Sequence, residues 1–255
     1  KMMEKKKLTR RNVLTGGVIG STALLAGCNP FAGDFSIRKF LGLGEWLNYR
    51  VQTFVAGDSL AREYTEAEMS PYFRMNGNIA ASSSAWQQLA ANNFVDYQLA
   101  IDGLVDTPQA LSLADIQAMP SRTQITRHDC VEGWSAIGKW TGVQLSSLLN
   151  MAGVSPQAKL VVFHCADDFN GTPYYESIDL EEAFHPQTIL AYGMNGGVLP
   201  MGHGAPLRLR VERQLGYKQA KFIMRIEVVD SLDGIGEGKG GFWEDAGDYD
   251  WYAGI

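Results

Sequence analysis

The sequence predicts a mixed α+β domain rich in strands, and three observations carry that reading. Residues 97–105, 207–211 and 222–229 alternate apolar and polar side chains, the period-two pattern of strands. Residues 159–165, Lys-Leu-Val-Val-Phe-His-Cys, form a short apolar run suited to a buried strand. Short helices interleave with these strands: residues 111–119, stopped by Pro120, and residues 143–151, ending at Gly153. The chain has 255 residues, 45% of them hydrophobic, ample for one large core or two small ones. A net charge of −6 excludes a general nucleic-acid binder, which would carry a basic excess. There is no internal repeat and no low-complexity block.

Residues 1–28 stand apart from the fold. Lys1, Lys5, Lys6, Lys7, Arg10 and Arg11 make a basic head. Thr9-Arg10-Arg11-Asn12-Val13-Leu14 resembles a twin-arginine export signal. Residues 13–26 are weakly apolar, diluted by glycine and short for a bilayer. Leu25-Ala26-Gly27-Cys28 resembles a bacterial lipoprotein box, which makes Cys28 the lipidated first residue of a mature periplasmic protein. The alternative is signal cleavage nearby, with Cys28 incidental.

Residues 29–72 read as a tether and a surface-wrapping arm. Asn29, Pro30, Gly33 and Asp34 suit the tether. Residues 40–49, with Leu41, Leu43, Trp46 and Leu47, fit a short amphipathic helix, and residues 61–69 another. Ser70-Pro71 breaks the second, because the residue before proline is pushed away from helix. Residues 73–255 form the main domain. Within it, residues 122–128 feed a strand into Cys130. Residues 174–180 are strand or loop before a turn of helix stopped by Pro186, with His185 structural. Residues 189–195 are a strand closed by Gly196-Gly197. The tail, residues 238–255, is aromatic and acidic; it folds back as a lid, packs on the core or offers aromatics to an electron partner.

Two stretches carry chemistry. In Arg127-His128-Asp129-Cys130-Val131-Glu132-Gly133-Trp134-Ser135 a thiol sits among four charged or titratable side chains. Arg127 and His128 favour its thiolate; Asp129 and Glu132 oppose it. Cys130 is therefore a candidate metal ligand or nucleophile, the latter needing His128 or His164 as base. The plain alternative is a buried cysteine packing as a small hydrophobe. Cys165 allows a disulfide with Cys130 in an exported protein, or zinc held by His128, Cys130, His164 and Cys165. Those spacings are not those of zinc fingers, and adjacent ligands on one strand point to opposite faces. The second stretch is Gly202-His203-Gly204-Ala205-Pro206-Leu207-Arg208-Leu209-Arg210-Val211. Arg208 and Arg210 share one face of a half-buried strand beside a glycine turn, and a guanidinium fork matches phosphate oxygens. Lys218 and Lys221 add two ammonium groups. The alternative is a solvated basic strand face.

The wording of these stretches adds a resemblance. Cys-Val-Glu-Gly-Trp-Ser at 130–135, Trp-Thr-Gly-Val at 140–143 and Leu-Ser-Ser-Leu-Leu at 145–149 resemble the molybdopterin-binding domain of the sulfite oxidase family. The likeness is greatest to its bacterial periplasmic branch, which includes the catalytic subunit of the methionine sulfoxide reductase system. It runs over residues 73–229. It implies an α+β sulfite oxidase-type domain in which Cys130 is the thiolate ligand of molybdenum. It also implies that Asn76, Cys165, His203, Arg208 and the triplet Gln219, Ala220 and Lys221 contact the pterin and its phosphate. Cys165 stands where that branch has threonine, and His203 where it has asparagine. The implied activity is oxygen-atom transfer, with reduction of a small S-oxide-type substrate by a monomeric enzyme. With no Cys-x-x-Cys-His haem motif and no second redox domain, electrons come from a membrane haem protein or cytochrome. Twin-arginine export, which carries folded proteins, suits a chain that receives its cofactor before export. The alternatives are a sulfite-oxidising dehydrogenase and a metal-free, lipid-anchored binding module. His128, Asp129, Glu132 and Trp134 are the candidates for substrate selection.

Overall fold

The computed structural model describes Gly44, residues 47–52, Gly57 and residues 59–255. The export motif, Cys28 and most of the helix expected at 40–49 lie outside these residues. Residues 47–52 are helical. Asn48–Ile255 form one compact unit. None of the helices among the described residues is long and apolar enough to cross a membrane.

Local chemistry sets the elements in order. Helix α1 (Ser84–Ala91) starts where the Ser83 hydroxyl accepts the Trp86 amide. Strands β1 (Gln98–Gly103) and β2 (Gln109–Ser112) follow as an antiparallel pair. Ser112 then caps α2 (Leu113–Ala118), with Asp115 reaching back to the Ser112 amide in a capping box. Strands β3 (Ser121–Cys130) and β4 (Trp134–Gln144) make the longest hairpin, with Cys130 opposite Trp134 at its last rung. Helix α3 (Leu145–Ala152) ends at Gly153, whose φ of 72° is left-handed and suits glycine. Strands β5 (Leu160–Phe169) and β6 (Thr172–Asp179) precede α4 (Leu180–Phe184), β7 (Ile189–Met194), β8 (Gly197–Val198), β9 (Arg208–Arg210) and β10 (Ile223–Val229). Helix α5 (Phe242–Gly247) lies near the C-terminus.

These strands make two sheets. One has the order β2-β1-β10-β5-β6, with β1 and β10 parallel. The other runs β3-β4-β7-β8, and β9 also pairs with β7. One apolar cluster draws Leu99, Val161, Phe163 and Ile226 from the first sheet and Val143, Leu190 and Leu209 from the second. Because side chains alternate across a strand, Ile189 and Ala191 on β7 point the other way, into a second cluster with Phe73 and Trp140. Strand β7 is therefore covered on both faces, which fixes its register.

Three expectations change. Residues 61–69 are not a helix. Glu63 bridges to Thr126 and the Tyr64 amide donates to the Ile125 carbonyl, so this arm covers the outer edge of β3. Only Glu66–Glu68 turns, as one 3-10 turn. Residues 143–144 end strand β4 instead of starting a helix. Strand β9 is not half-buried: Arg208, Leu209 and Arg210 are all fully buried. The solvated basic face is thereby excluded.

Candidate cofactor and active site

Cys130 is placed by the β3–β4 hairpin. Its carbonyl accepts the Gly133 amide across the turn, where Gly133 has a φ of 84°. The thiol is half-buried and lies in the wall of a pocket of about 170 Å³. Asn76, Gln219 and Lys221 line the same pocket, and so do Glu132 and Asp167. Segments far apart in sequence thus meet at one place.

The charge balance at Cys130 differs from the sequence expectation. Arg127 is turned to Asp129, with its Nε donating over 2.9 Å. His128 is fully buried, and its Nδ1 lies 3.2 Å from the Arg210 guanidinium. Burial, then the charges of Arg210 and Arg208, push the His128 imidazole well below its ordinary pKa, so it is neutral. Neither group favours the thiolate. Burial instead raises the Cys130 thiol; the Glu132 backbone amide opposes that, the Glu132 charge adds to it, and Arg74 is the cation that opposes it. The Arg74 guanidinium lies 5.7 Å from the Trp134 ring, and the Trp134 indole donates to Glu132 over 2.9 Å. A cysteine nucleophile therefore lacks its base. His128 faces arginine, and His164 is paired with Glu227 over 2.8 Å. Both Cys130 and Cys165 are free thiols. Among the described residues, no group of three or more His, Cys, Asp or Glu side chains is arranged to hold a metal. The protein-only zinc site is thus not formed.

The other side of the pocket is knitted by two buried cations. Lys221 donates to the carbonyls of Asn76 over 2.7 Å, Asn78 over 2.5 Å and Gly202 over 3.0 Å. It ties the loop at residues 76–78 to the glycine turn. Burial and the nearby Arg208 pull its pKa to about 7, while Asp167 and Cys165 act the other way. Arg208 donates to the His203 carbonyl over 3.0 Å and lies 4.9 Å from the Trp140 ring centroid. Burial first, then Arg210, lowers its pKa to about 9. Arg210 lies 4.4 Å from the same ring and is ion-paired to buried Glu212 over 2.5 Å. Gly216 lets its turn approach β3: a Cβ there would meet the His128 Nε2 at 2.5 Å.

Comparison with known proteins decides the family. Residues 86–233 match the model of the oxidoreductase molybdopterin binding domain. The chain belongs to that family. It is accordingly a molybdopterin-dependent oxidoreductase of the α+β sulfite oxidase type, with molybdenum and molybdopterin as its cofactor. The chain is similar to a putative protein-methionine-sulfoxide reductase subunit of Azospira oryzae, 37% identical, covering 92% of this chain and 84% of that one. It also resembles protein-methionine-sulfoxide reductase catalytic subunits of Ralstonia nicotianae and Campylobacter jejuni. They are 35% and 36% identical, over 52% and 54% of this chain. It spans about half of those two relatives, 44% and 51%. Among solved structures, the sulfane dehydrogenase SoxCD from Paracoccus pantotrophus matches with a TM-score of 0.49 and 28% identity. That match covers 54% of this chain and 39% of SoxCD.

The pocket's chemistry fits the family's cofactor. Of the wall residues, Asn76 Oδ1, Asp167 Oδ1 and Gln219 Oε1 are buried with no hydrogen-bond partner within the protein, as are His203 Nδ1 and Arg208 Nε outside the wall. Buried polar groups are rarely left so, and a polar bicyclic ring with a phosphate supplies both donors and acceptors. Of the residues expected to hold it, Asn76, Cys130, Gln219 and Lys221 line the pocket. His203, Arg208 and Ala220 stand behind it. His203 is nearly buried and Ala220 fully so. Cys165 lies on β5, in the wall of a neighbouring cavity of about 1000 Å³. Burial raises its thiol well above the ordinary range.

Several wall residues escaped sequence reading. Asp167, Phe169, Tyr217, Trp243 and Tyr249 all line the pocket. Tyr217 follows Gly216 in a segment whose lysines carry the sequence signal, and the sequence leaves open whether the aromatic tail is a lid, core packing or a partner surface. Only the fold shows that they meet.

Proposed function

We propose that this chain reduces S-oxides of the methionine sulfoxide type, taking electrons from an external haem protein. The observation that carries the reading is the convergence of Cys130, Asn76, Gln219 and Lys221 on one pocket edged by unpartnered polar atoms. The direction is supported by the relatives, whose names are those of methionine sulfoxide reductase subunits. When bound, the cofactor supplies molybdenum for two-electron redox change coupled to oxygen-atom transfer. The overall change takes an S-oxide, two protons and two electrons to a sulfide and water.

In this proposal Cys130 is the protein thiolate to molybdenum. Its raised thiol pKa does not oppose that role, since a metal deprotonates a coordinating thiol outright. Asn76, Gln219 and Asp167 offer polar side chains to the ring. Lys221 holds the loop at residues 76–78 in place, while Arg208 steadies the His203 carbonyl and stands ready with its free Nε. Glu132, fixed by the Trp134 indole, lies beside Cys130 in the pocket wall. The chain reaches the periplasm by the twin-arginine route and is anchored there through Cys28, a reading supported by the motifs at 9–14 and 25–28.

Two measurements test this. Purified protein should carry about one molybdenum per chain, and Cys130→Ser should lose it while keeping its circular dichroism. The loaded wild type, given a reduced dye, should reduce methionine sulfoxide. Rapid oxidation of sulfite without reduction of any S-oxide would overturn the direction. Arg10→Lys with Arg11→Lys should leave the protein in the cytoplasm; normal export of that variant would remove the assigned route.

A further inference from the structure

The family match ends at residue 233, short of residues 242–255, whose sequence left a lid, core packing and an electron-partner surface open. Three observations converge on them. First, they complete the pocket. Trp243 and Tyr249 line it together with Cys130, Asn76 and Lys221. Their rings continue an aromatic wall: Tyr217 and Tyr249 centroids are 5.0 Å apart, Trp243 and Tyr249 6.0 Å, and Phe169 and Trp243 5.3 Å. Second, they are tied to the segment that carries Gln219 and Lys221. Lys218 donates to Glu244 over 2.6 Å and to Glu176 over 2.5 Å, all three without exposure. The Tyr217 hydroxyl donates to the Asp250 carbonyl over 2.6 Å. The Leu215 amide donates to Ala253, and the Ile255 amide to Arg213, both over 2.9 Å. Third, they follow a run of glycines. Gly234, Gly236, Gly238 and Gly240 have φ of 82°, 55°, 84° and 109°, conformations that other residues rarely adopt.

The pocket's size supplies the remaining step. With residues 242–255 in place it holds about 170 Å³, below the roughly 300–1,000 Å³ usual for sites that enclose a ligand of this size. A wall that gave way would enlarge it to that range. Strands β3 and β5 are held in sheets, whereas the tail is joined through glycine and meets the body by two single bridges, Gly241 to Glu176 and Gly254 to Gln214. We propose that residues 242–255 are a strap hinged at 234–241 that closes on molybdopterin, with Trp243 and Tyr249 as ring-contacting binding residues and Lys218–Glu244 as the latch. The proposal rests on the assignment of the pocket to molybdopterin.

The test uses the full chain, made in cells that synthesise molybdopterin and in cells that do not. Trypsin cleavage after Lys239, in the hinge, is followed in both preparations by mass spectrometry. The strap is open more often without cofactor, so the cofactor-free chain is cut about tenfold faster, the ratio of open populations that loss of two ring contacts implies. A loaded Trp243→Ala, Tyr249→Ala variant releases pterin about tenfold faster than wild type, read by the fluorescence of the released, oxidised ring. Equal cleavage of the two wild-type preparations overturns the strap, even if the variant does not fold. So does unchanged pterin release by a folded variant. A wild-type chain that carries no pterin overturns the pocket assignment instead, and the strap with it.

Discussion

His203 shows how a single buried ring reports on its surroundings. Burial, then the positive charges of Arg208 and Lys221, depress its pKa from 6.5 to about 4. Between those values the unfolded chain binds a proton that the folded chain refuses, so stability rises with pH across that window and is lost as pH falls through it. Partly solvated groups yield less than the full shift, which leaves roughly 2 kcal/mol for the whole window. Replacing His203 with Asn removes this dependence. Urea denaturation of both proteins at pH 4.5 and 7 should show His203→Asn gaining roughly 2 kcal/mol on the wild type at the lower pH. An identical gap at both pH values would mean that the imidazole does not titrate as its neighbours require. Arg210 teaches a different lesson at this scale. Its partner Glu212 lies just past the end of β9, in a turn, and the full burial of the pair was not legible in the sequence, because Trp140 from another strand lies against the guanidinium. His128 is similar: its neighbours in sequence suggested a charge beside Cys130, while its neighbours in space, two arginines, make it neutral.

At the scale of elements, the β3–β4 hairpin carries both motif blocks, Cys130 to Ser135 and Trp140 to Val143. The glycine of the second block has a mechanical reason. Strand β4 shifts register against β7 between Thr141 and Gly142, and a Cβ on Gly142 would overlap the Leu190 carbonyl oxygen. Gly142→Ala should therefore cost about 3 kcal/mol in urea denaturation, since backbone on both sides cannot give way. A loss below about 0.5 kcal/mol, the range of surface changes, would show that the bulge repacks freely. The elements that sequence reading found were those with local signatures: the Ser112 cap, the Gly153 stop and the alternation of β1 and β10. Strand β2 hid behind the turn at Asp106-Thr107-Pro108. Most of β4 hid behind its own glycines and tryptophans, because its ladder partners lie in β3 and β7, and pairing of that kind leaves little mark on a local window. The arm at 61–69 had helical composition, but the open edge of β3 gave its backbone a better partner.

For the whole molecule, the pocket is a junction. Asn76 comes from the loop before α1, Cys130 from the second sheet, Asp167 from the first, Lys221 from the approach to β10 and Trp243 from α5. A ligand that binds this folded arrangement and not the unfolded chain must stabilise it, by about 2.7 kcal/mol at a hundredfold excess over Kd. Lys221 separates two parts of that gain. Its three carbonyl bonds hold residues 76–78 against Gly202 whether or not cofactor is bound. Lys221→Met should thus lower the Tm of the cofactor-free chain, and reduce molybdopterin content further, because the loop that presents Asn76 is released. Cys130→Ser removes a metal ligand and no structural bond of comparable weight. It should leave the cofactor-free Tm unchanged and abolish only the increase on loading. Thermal scans of both variants, from cells with and without molybdopterin synthesis, distinguish the two roles. If Cys130→Ser destabilised the cofactor-free chain as much as Lys221→Met, the thiol would be a packing group and its place in the pocket would say nothing about the metal.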